Sequence, residues 1–220
     1  METKEILRFL EDLNANNNRE WFAENKKRYE QANKMLLALV EEAITMVRVI
    51  DPTVGELAPK ECVFRIYKDI RFSHDKTPYK TNMGAYIARG GRKSIYGGYY
   101  LHFEPGASMI AGGIYMPEPD TLKRIRQEVY FNSPEFKGLL GTEAFVKYFG
   151  ALADEGKLKK APRDYPADFP DVELLKYRHY TMMHSVSDEV VCSAQYPALI
   201  KSVFEAMKPV NDFLNRALKE

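Results

Sequence analysis

Residues able to bind an anion or move a proton crowd into the stretch FRIYKDIRFSHDKTPYKTN, Phe64 to Asn82. Arg65, Arg71, Lys76 and Lys80 supply cationic donors there. Arginine offers a planar fork matched to phosphate or carboxylate, and lysine a mobile point charge. Asp69 lies between the two arginines in sequence and can orient one of them while it meets a ligand. Farther on, Tyr100, His102 and Glu104 recur at every second residue, so on a β-strand they share one face. A carboxylate beside an imidazole can fix its orientation for acid–base work. Tyr79, Tyr86 and Tyr100 add aromatic walls. Together these types and spacings point to a site for a small anionic, phosphate-bearing ligand. Arg65, Arg71, Lys76 and Lys80 would hold the anion, and Asp69, His102 and Glu104 would form the polar, catalytically competent centre. Whether the ligand is also turned over stays open.

Each of these features also has a plainer explanation. Asp69 and Asp75 can pair internally with the neighbouring cations, and His102 beside Glu104 can be a structural hydrogen-bonded pair. Asp69, His102 and Glu104 have no diagnostic ligand spacing. No HExxH or cysteine cluster occurs, and His179 and His184 fall on opposite faces of an expected strand, so no metal site is assigned. The glycine-rich loop Arg89–Gly98 departs from phosphate-loop spacing and reads as a flexible basic connection. No GxSxG is present, and neither cysteine has a histidine nearby in sequence. The residues identify no cofactor. A different class of function fits the same pattern: a non-enzymatic interaction module with a protein or nucleic-acid partner laid across an aromatic, basic sheet face.

The elements that must position these residues follow from periodicity. Residues 4–13 carry apolar side chains at helical spacing. Asn17 with Glu20 resembles a capping box for a long helix from about Arg19 to Val49, which Asp51-Pro52 ends. Residues 62–68, 83–89, 98–104 and 108–116 read as strands, and the short EPGAS link implies an antiparallel hairpin. Alternation places Phe64, Ile66 and Ile70 on one side of the first strand and Arg65, Tyr67 and Asp69 on the other. One sheet face is then apolar, and the opposite face gathers Arg65, Asp69, Tyr86, Tyr100, His102 and Glu104. Helices are expected from Pro119, from Ser133 and over 142–149. A surface loop spans 151–171, LLKYRHYTMMHSV reads as a late strand, and a terminal helix runs from about Tyr196 to Leu218 with a kink or break at Pro209. The expected fold class is α+β: a mainly antiparallel curved sheet packed on one face by N-terminal, middle and C-terminal helices. One domain is expected over 1–220, with a helical segment at 1–50, the central sheet at 60–118, and helices, loop and late strand at 119–220.

Bulk properties narrow the class. The chain has 220 residues, 45% of them hydrophobic, and a formal net charge of +1. It can bury a core, and it lacks the global basic field of a nonspecific nucleic-acid binder, so nucleic acid is not the favoured partner. Cys62 and Cys192 are the only cysteines, which suggests reduced thiols and a cytoplasmic location. No run approaches the roughly 18 apolar residues of a membrane span, so no membrane association is expected. The sequence does not fix the oligomeric state.

NNNREWF at 16–22, FRIYKDIRFSHDKTPYKTN at 64–82, GGYYLHFEPG at 97–106 and GGIYMPEPDTLKRIRQ at 112–127 resemble a family of bacterial and fungal proteins classed as domain of unknown function 2461. The likeness covers nearly the whole chain. The family's signature falls on Arg65, Asp69, Arg71, Phe72, Lys76 and Tyr79. Lys68 stands where the family pattern has arginine, which keeps the charge and loses the fork. The resemblance implies a single cytosolic domain and carries no activity.

Overall fold

The computed structural model describes residues 2–69, 71 and 74–219. Ile70 and Phe72, expected on the apolar side of the first strand and within the family signature, lie outside the described residues.

The chain opens with helix α1 (Glu2–Ala15), whose Ile6, Phe9, Leu10 and Leu13 are buried. The expected long second helix is two. Helix α2 (Arg19–Glu24) ends at Asn25, and α3 (Lys26–Ile50) carries the apolar stripe on to Asp51. The cap is Asn18 rather than Asn17: its Oδ1 accepts from the Trp21 amide at 2.9 Å. Asn17 has a different role. Its side-chain amide donates to the Tyr79 carbonyl at 3.0 Å and accepts from the Tyr79 amide at 3.2 Å. A side chain thus pairs with the backbone as a neighbouring strand would.

A short helix α4 (Pro59–Cys62) leads toward the sheet. Strands β1 (Met83–Ile87), β2 (Gly98–Phe103) and β3 (Met109–Ile114) follow, and β4 (Tyr180–Ser185) arrives much later in the chain. They form one four-stranded antiparallel sheet in the order β1-β2-β3-β4. The expected strand at 62–68 is absent as a ladder. Val63 bridges Ala85 and Tyr67 bridges Tyr79, each in isolation. The late strand is shorter than expected, because Val172–Leu175 forms a helical turn, α8.

Helices α5 (Pro119–Phe131), α6 (Ser133–Leu140) and α7 (Glu143–Phe149) lie between β3 and β4. After β4 come a short turn, α9 (Asp188–Val191), and the long α10 (Tyr196–Arg216), which continues through Pro209. The fold is α+β: ten helices among the described residues pack around an open four-stranded antiparallel sheet.

Alternation decides which face the helices cover. Ala85, Ile87, Tyr99, Leu101, Phe103, Ile110, Tyr180 and Met182 are buried in a hydrophobic cluster with Val203, Phe204, Met207 and Val210 of α10. Gly112 lets that helix come close, since a Cβ there would lie 2.6 Å from Met207 Sδ. α10 also holds the start of β2 through polar contacts: Asn211 donates to the Gly98 carbonyl, and Asn215 exchanges two hydrogen bonds with Gly97. The opposite face carries Gly84, Tyr86, Tyr100, His102, Met109, Ala111, Gly113, Thr181 and Met183.

Asn17 is the tie between the N-terminal helices and the segment before β1. Asn17→Ala is expected to cost about 1–2 kcal/mol, the usual range for two part-buried hydrogen bonds. Urea denaturation measures that loss, and hydrogen exchange at the Tyr79 amide should accelerate. An unchanged exchange rate there would contradict the role.

Candidate functional site

A cavity of about 550 Å³ lies over the uncovered face of the sheet. Its floor is built by alternation from all four strands: Gly84 and Tyr86, Tyr100 and His102, Met109 and Ala111, Thr181 and Met183. Beyond β1, the wall is Phe64, Arg65 and Lys80, held there because the Phe64 amide donates to the Gly84 carbonyl and the Lys80 amide to the Ile66 carbonyl. Beyond β4 lies Glu155, in a loop joined to the strand by the Ala153 amide on the Thr181 carbonyl. The connection between β1 and β2 adds Arg92, Ser94 and Tyr96.

The floor is small and apolar where strands β1 and β3 contribute glycine or alanine. That is what makes the face concave. Gly84 is needed in particular, because a Cβ there would lie 2.7 Å from the Tyr100 hydroxyl and 2.8 Å from the Leu101 carbonyl. Tyr86 is locked: its hydroxyl sits between the carbonyls of Tyr96 (2.8 Å) and Gly113 (2.9 Å). Its ring lines the cavity, and burial raises its pKa strongly.

Tyr100, His102 and Glu104 form one hydrogen-bonded chain along β2. The Tyr100 hydroxyl lies 2.9 Å from His102 Nδ1, and His102 Nε2 lies 2.9 Å from a Glu104 carboxylate oxygen. The other carboxylate oxygen accepts from the Thr81 hydroxyl at 3.3 Å. His102 is only 8% exposed. Burial, and then the negative charge of Glu104, push the Tyr100 hydroxyl up to about 12.

Among the described residues, neither Arg65 nor Lys80 has a carboxylate within ion-pair distance. Lys80 stacks its ammonium 5.7 Å from the Phe64 ring centroid. Burial, and then repulsion from Arg65, lower its pKa. An anion between the two would oppose both effects by favouring the charged ammonium. Arg92 is differently placed: its Nη1 donates to the carbonyls of Lys60 (2.8 Å) and Glu61 (3.1 Å). The glycine-rich loop expected to be a flexible basic connection is therefore pinned to α4.

Not every residue expected at the site arrives there. Arg65, Lys80, Tyr86, Tyr100 and His102 line the cavity, and Glu104 stands behind His102. Asp69 is exposed and held by Arg71, whose Nε and Nη2 donate to its carboxylate at 3.0 and 2.7 Å. Neither belongs to the described cavity lining, so the expected polar centre lacks Asp69. Lys76 is exposed and also outside it. Tyr79 turns the opposite way, its ring stacked on Phe22 at 3.9 Å, because the N-terminal helices offer it an apolar surface. The expected alternation fails at Phe64 and Arg65, which both face the cavity, since isolated bridges impose no continuous pleat. Met109, Ala111, Thr181, Met183, Asn82 and Glu155 line the cavity too, and no motif in the sequence marks them. Alternation within TMMHS puts Thr181 and Met183 on one face, but only the pairing of β4 with β3 locates that face. His179 and His184 are occupied by backbone: His179 Nδ1 accepts from the Met116 amide, and His184 Nδ1 is 2.9 Å from the Tyr148 carbonyl.

Asp75 lies in the same exposed segment as Asp69. Lys68 donates to its carboxylate, as do the amide and hydroxyl of Thr77. These contacts, the lysine first, pull its pKa down to about 2. The native value lies below the unfolded one of about 4, so the stabilisation is present above pH 4 and is lost as pH falls through 2. A carboxyl-carbon NMR titration should show this low midpoint, and Lys68→Ala should return it toward 4. An ordinary midpoint in the unmodified chain would show that the segment is not tied this way.

Among the described residues, no three His, Cys, Asp or Glu side chains converge as a metal-ligand set, and no helix is long and apolar enough to cross a membrane. Searches of curated proteins and of solved structures return no match. The model of the family described as conserved hypothetical protein (DUF2461) matches residues 5–213, a span that takes in all four strands and the cavity, and the chain belongs to that family.

Proposed function

We propose that this protein binds a small anionic, phosphate-bearing ligand in the cavity on the uncovered sheet face. The observation that carries the reading is the pairing of Arg65 and Lys80 at one edge of a concave, aromatic-lined cavity, with no carboxylate of the described residues within ion-pair distance of either. A cavity of about 550 Å³ falls within the range of small-molecule sites. The anion would meet Arg65 and Lys80, and an apolar or aromatic body would lie on Tyr100, Met109, Ala111 and Met183. The concave floor supports this reading over an interaction module, which would use a flatter exposed face. Both cysteines are free, and burial raises the Cys62 thiol to about 11, which fits a structural thiol in a reducing, cytoplasmic setting.

A thermal-shift screen tests the proposal. Its panel would hold nucleotides, sugar phosphates, aryl phosphates, dicarboxylates and short oligonucleotides. A ligand that binds only the folded chain adds roughly 2.7 kcal/mol at a hundredfold excess over its Kd. A phosphorylated small molecule should raise the midpoint of the unmodified protein. A shift confined to oligonucleotides would move the assignment to the nucleic-acid reading, and no shift at all would remove the ligand.

A further inference from the structure

Tyr100, His102 and Glu104 repeat the arrangement of a reactive hydroxyl, a base and a group that orients the base. A carboxylate only accepts hydrogen bonds, so Nε2 of His102 carries the hydrogen that faces Glu104. Nδ1 is then left as an acceptor, and the Tyr100 hydroxyl donates to it. The phenol oxygen keeps its lone pairs as acceptors, and Tyr100 lines the cavity. Thr81 fixes the second carboxylate oxygen, and His102 is largely buried. Gly84 provides the room for the hydroxyl, which a methyl group there would displace.

We propose that Tyr100 is the proton-exchanging group of the cavity, with His102 as its base and Glu104 as the residue that positions His102. This rests on the cavity being the ligand site. In the forward step, a hydroxyl or acidic C–H of the bound anion gives its proton to Tyr100 Oη while the phenol's own proton passes to His102 Nδ1. The imidazolium so formed is held by the Glu104 carboxylate, and the reverse route returns the proton to another atom of the ligand. No electrons change hands, and no further reactant is required. The raised pKa of Tyr100 means that the phenol is not ionised on its own at neutral pH, so its reactivity depends on His102. Arg65 and Lys80 would stabilise negative charge that develops on the ligand.

The same proton movement makes Tyr100 a nucleophile toward phenylmethanesulfonyl fluoride, whatever the natural ligand is. The Oη–S bond forms, the S–F bond breaks, fluoride leaves and the phenol proton goes to His102. Peptide mapping by mass spectrometry would compare labelling of Tyr100 with that of the more exposed Tyr115 at the same cavity. The expected result is faster labelling of Tyr100, reduced about a hundredfold in His102→Gln, the lower end for loss of a positioned base. Glu104→Gln should slow labelling several-fold at an unchanged melting temperature, which a purely structural carboxylate would not do. Tyr100 reacting no faster than Tyr115, or equally fast in His102→Gln, would overturn the relay. Should His102→Gln fail to fold, the comparison within the unmodified protein and the Glu104→Gln variant still decide. A ligand found by thermal shift without enhanced Tyr100 labelling would mean a binding site without this chemistry. Enhanced labelling with no ligand would leave the relay standing and remove the anion assignment.

Discussion

Arg65→Ala is expected to weaken binding of a phosphorylated ligand by about ten- to a hundredfold, the equivalent of the roughly 1.5–3 kcal/mol carried by a charge-assisted hydrogen bond. Arg65 is exposed at the cavity rim and makes no ion pair among the described residues. Its loss should therefore change baseline stability by no more than about 0.5 kcal/mol. Lys80→Met keeps the stem over Phe64 and removes the charge. It should cost a similar factor in affinity, and the two changes should couple, since both cations face one anion. The burial that lowers the Lys80 pKa is borne by the unliganded protein, so binding should be accompanied by proton uptake at alkaline pH. Titration calorimetry in buffers of different ionisation enthalpy reads that uptake. Arg71→Ala is the informative control, because Arg71 holds Asp69 outside the cavity lining. An affinity that falls as far in Arg71→Ala as in Arg65→Ala would place the anion on the exposed loop.

The largest structural effect is expected at Gly113. Its φ is +92°, and a Cβ there would lie 2.0 Å from the Tyr180 carbonyl of the neighbouring strand. The obstacle is backbone, which cannot swing aside as a flexible side chain would. Gly113→Ala thus combines a strained backbone with forced separation of β3 from β4. Each effect costs about 1–3 kcal/mol, so a total on the order of 2–6 kcal/mol is expected, a large fraction of the roughly 5–15 kcal/mol of a typical domain. Gly138→Ala gives the contrast. Gly138 lies within α6 with nothing near its missing Cβ, and alanine there should be neutral or stabilising by up to about 1 kcal/mol. Equal denaturation midpoints for the two variants would refute the reading of Gly113.

The elements are legible in the sequence where the pattern is local. Alternation in MGAYI, GYYLHF and SMIAGGI marks three strands, and the EPGAS turn sets the antiparallel sense of the last two. The shared face of Tyr100, His102 and Glu104 follows from spacing alone and survives as a hydrogen-bonded chain. Contacts distant in sequence are not legible. Tyr79 looks like a cavity wall until Phe22, far earlier in the chain, is seen to stack on it. Arg92 looks like part of a loose basic loop until the carbonyls of Lys60 and Glu61 take its hydrogens. Alternation misassigns the 64–69 segment because period two holds only along a continuous ladder, and two isolated bridges do not make one. Asn17 is the related case: the capping pattern finds the right helix start, but Asn18 takes the cap, which leaves Asn17 to bind Tyr79.

Two methionines on the uncovered sheet face can report directly on whether it is the ligand site. Met109 and Met183 line the cavity, whereas Met35, Met46 and Met207 pack with the helices on the other side. A methyl-labelled methionine NMR titration with phenyl phosphate, run beside inorganic phosphate, would locate binding even while the natural ligand is unidentified. Saturable shifts of Met109 and Met183 with phenyl phosphate are expected, with the remote methionines unmoved and the response abolished in Arg65→Ala with Lys80→Met. Methyl signals of Met109 and Met183 that stay fixed at millimolar phenyl phosphate, or that move equally in the double variant, would contradict a ligand site on this face.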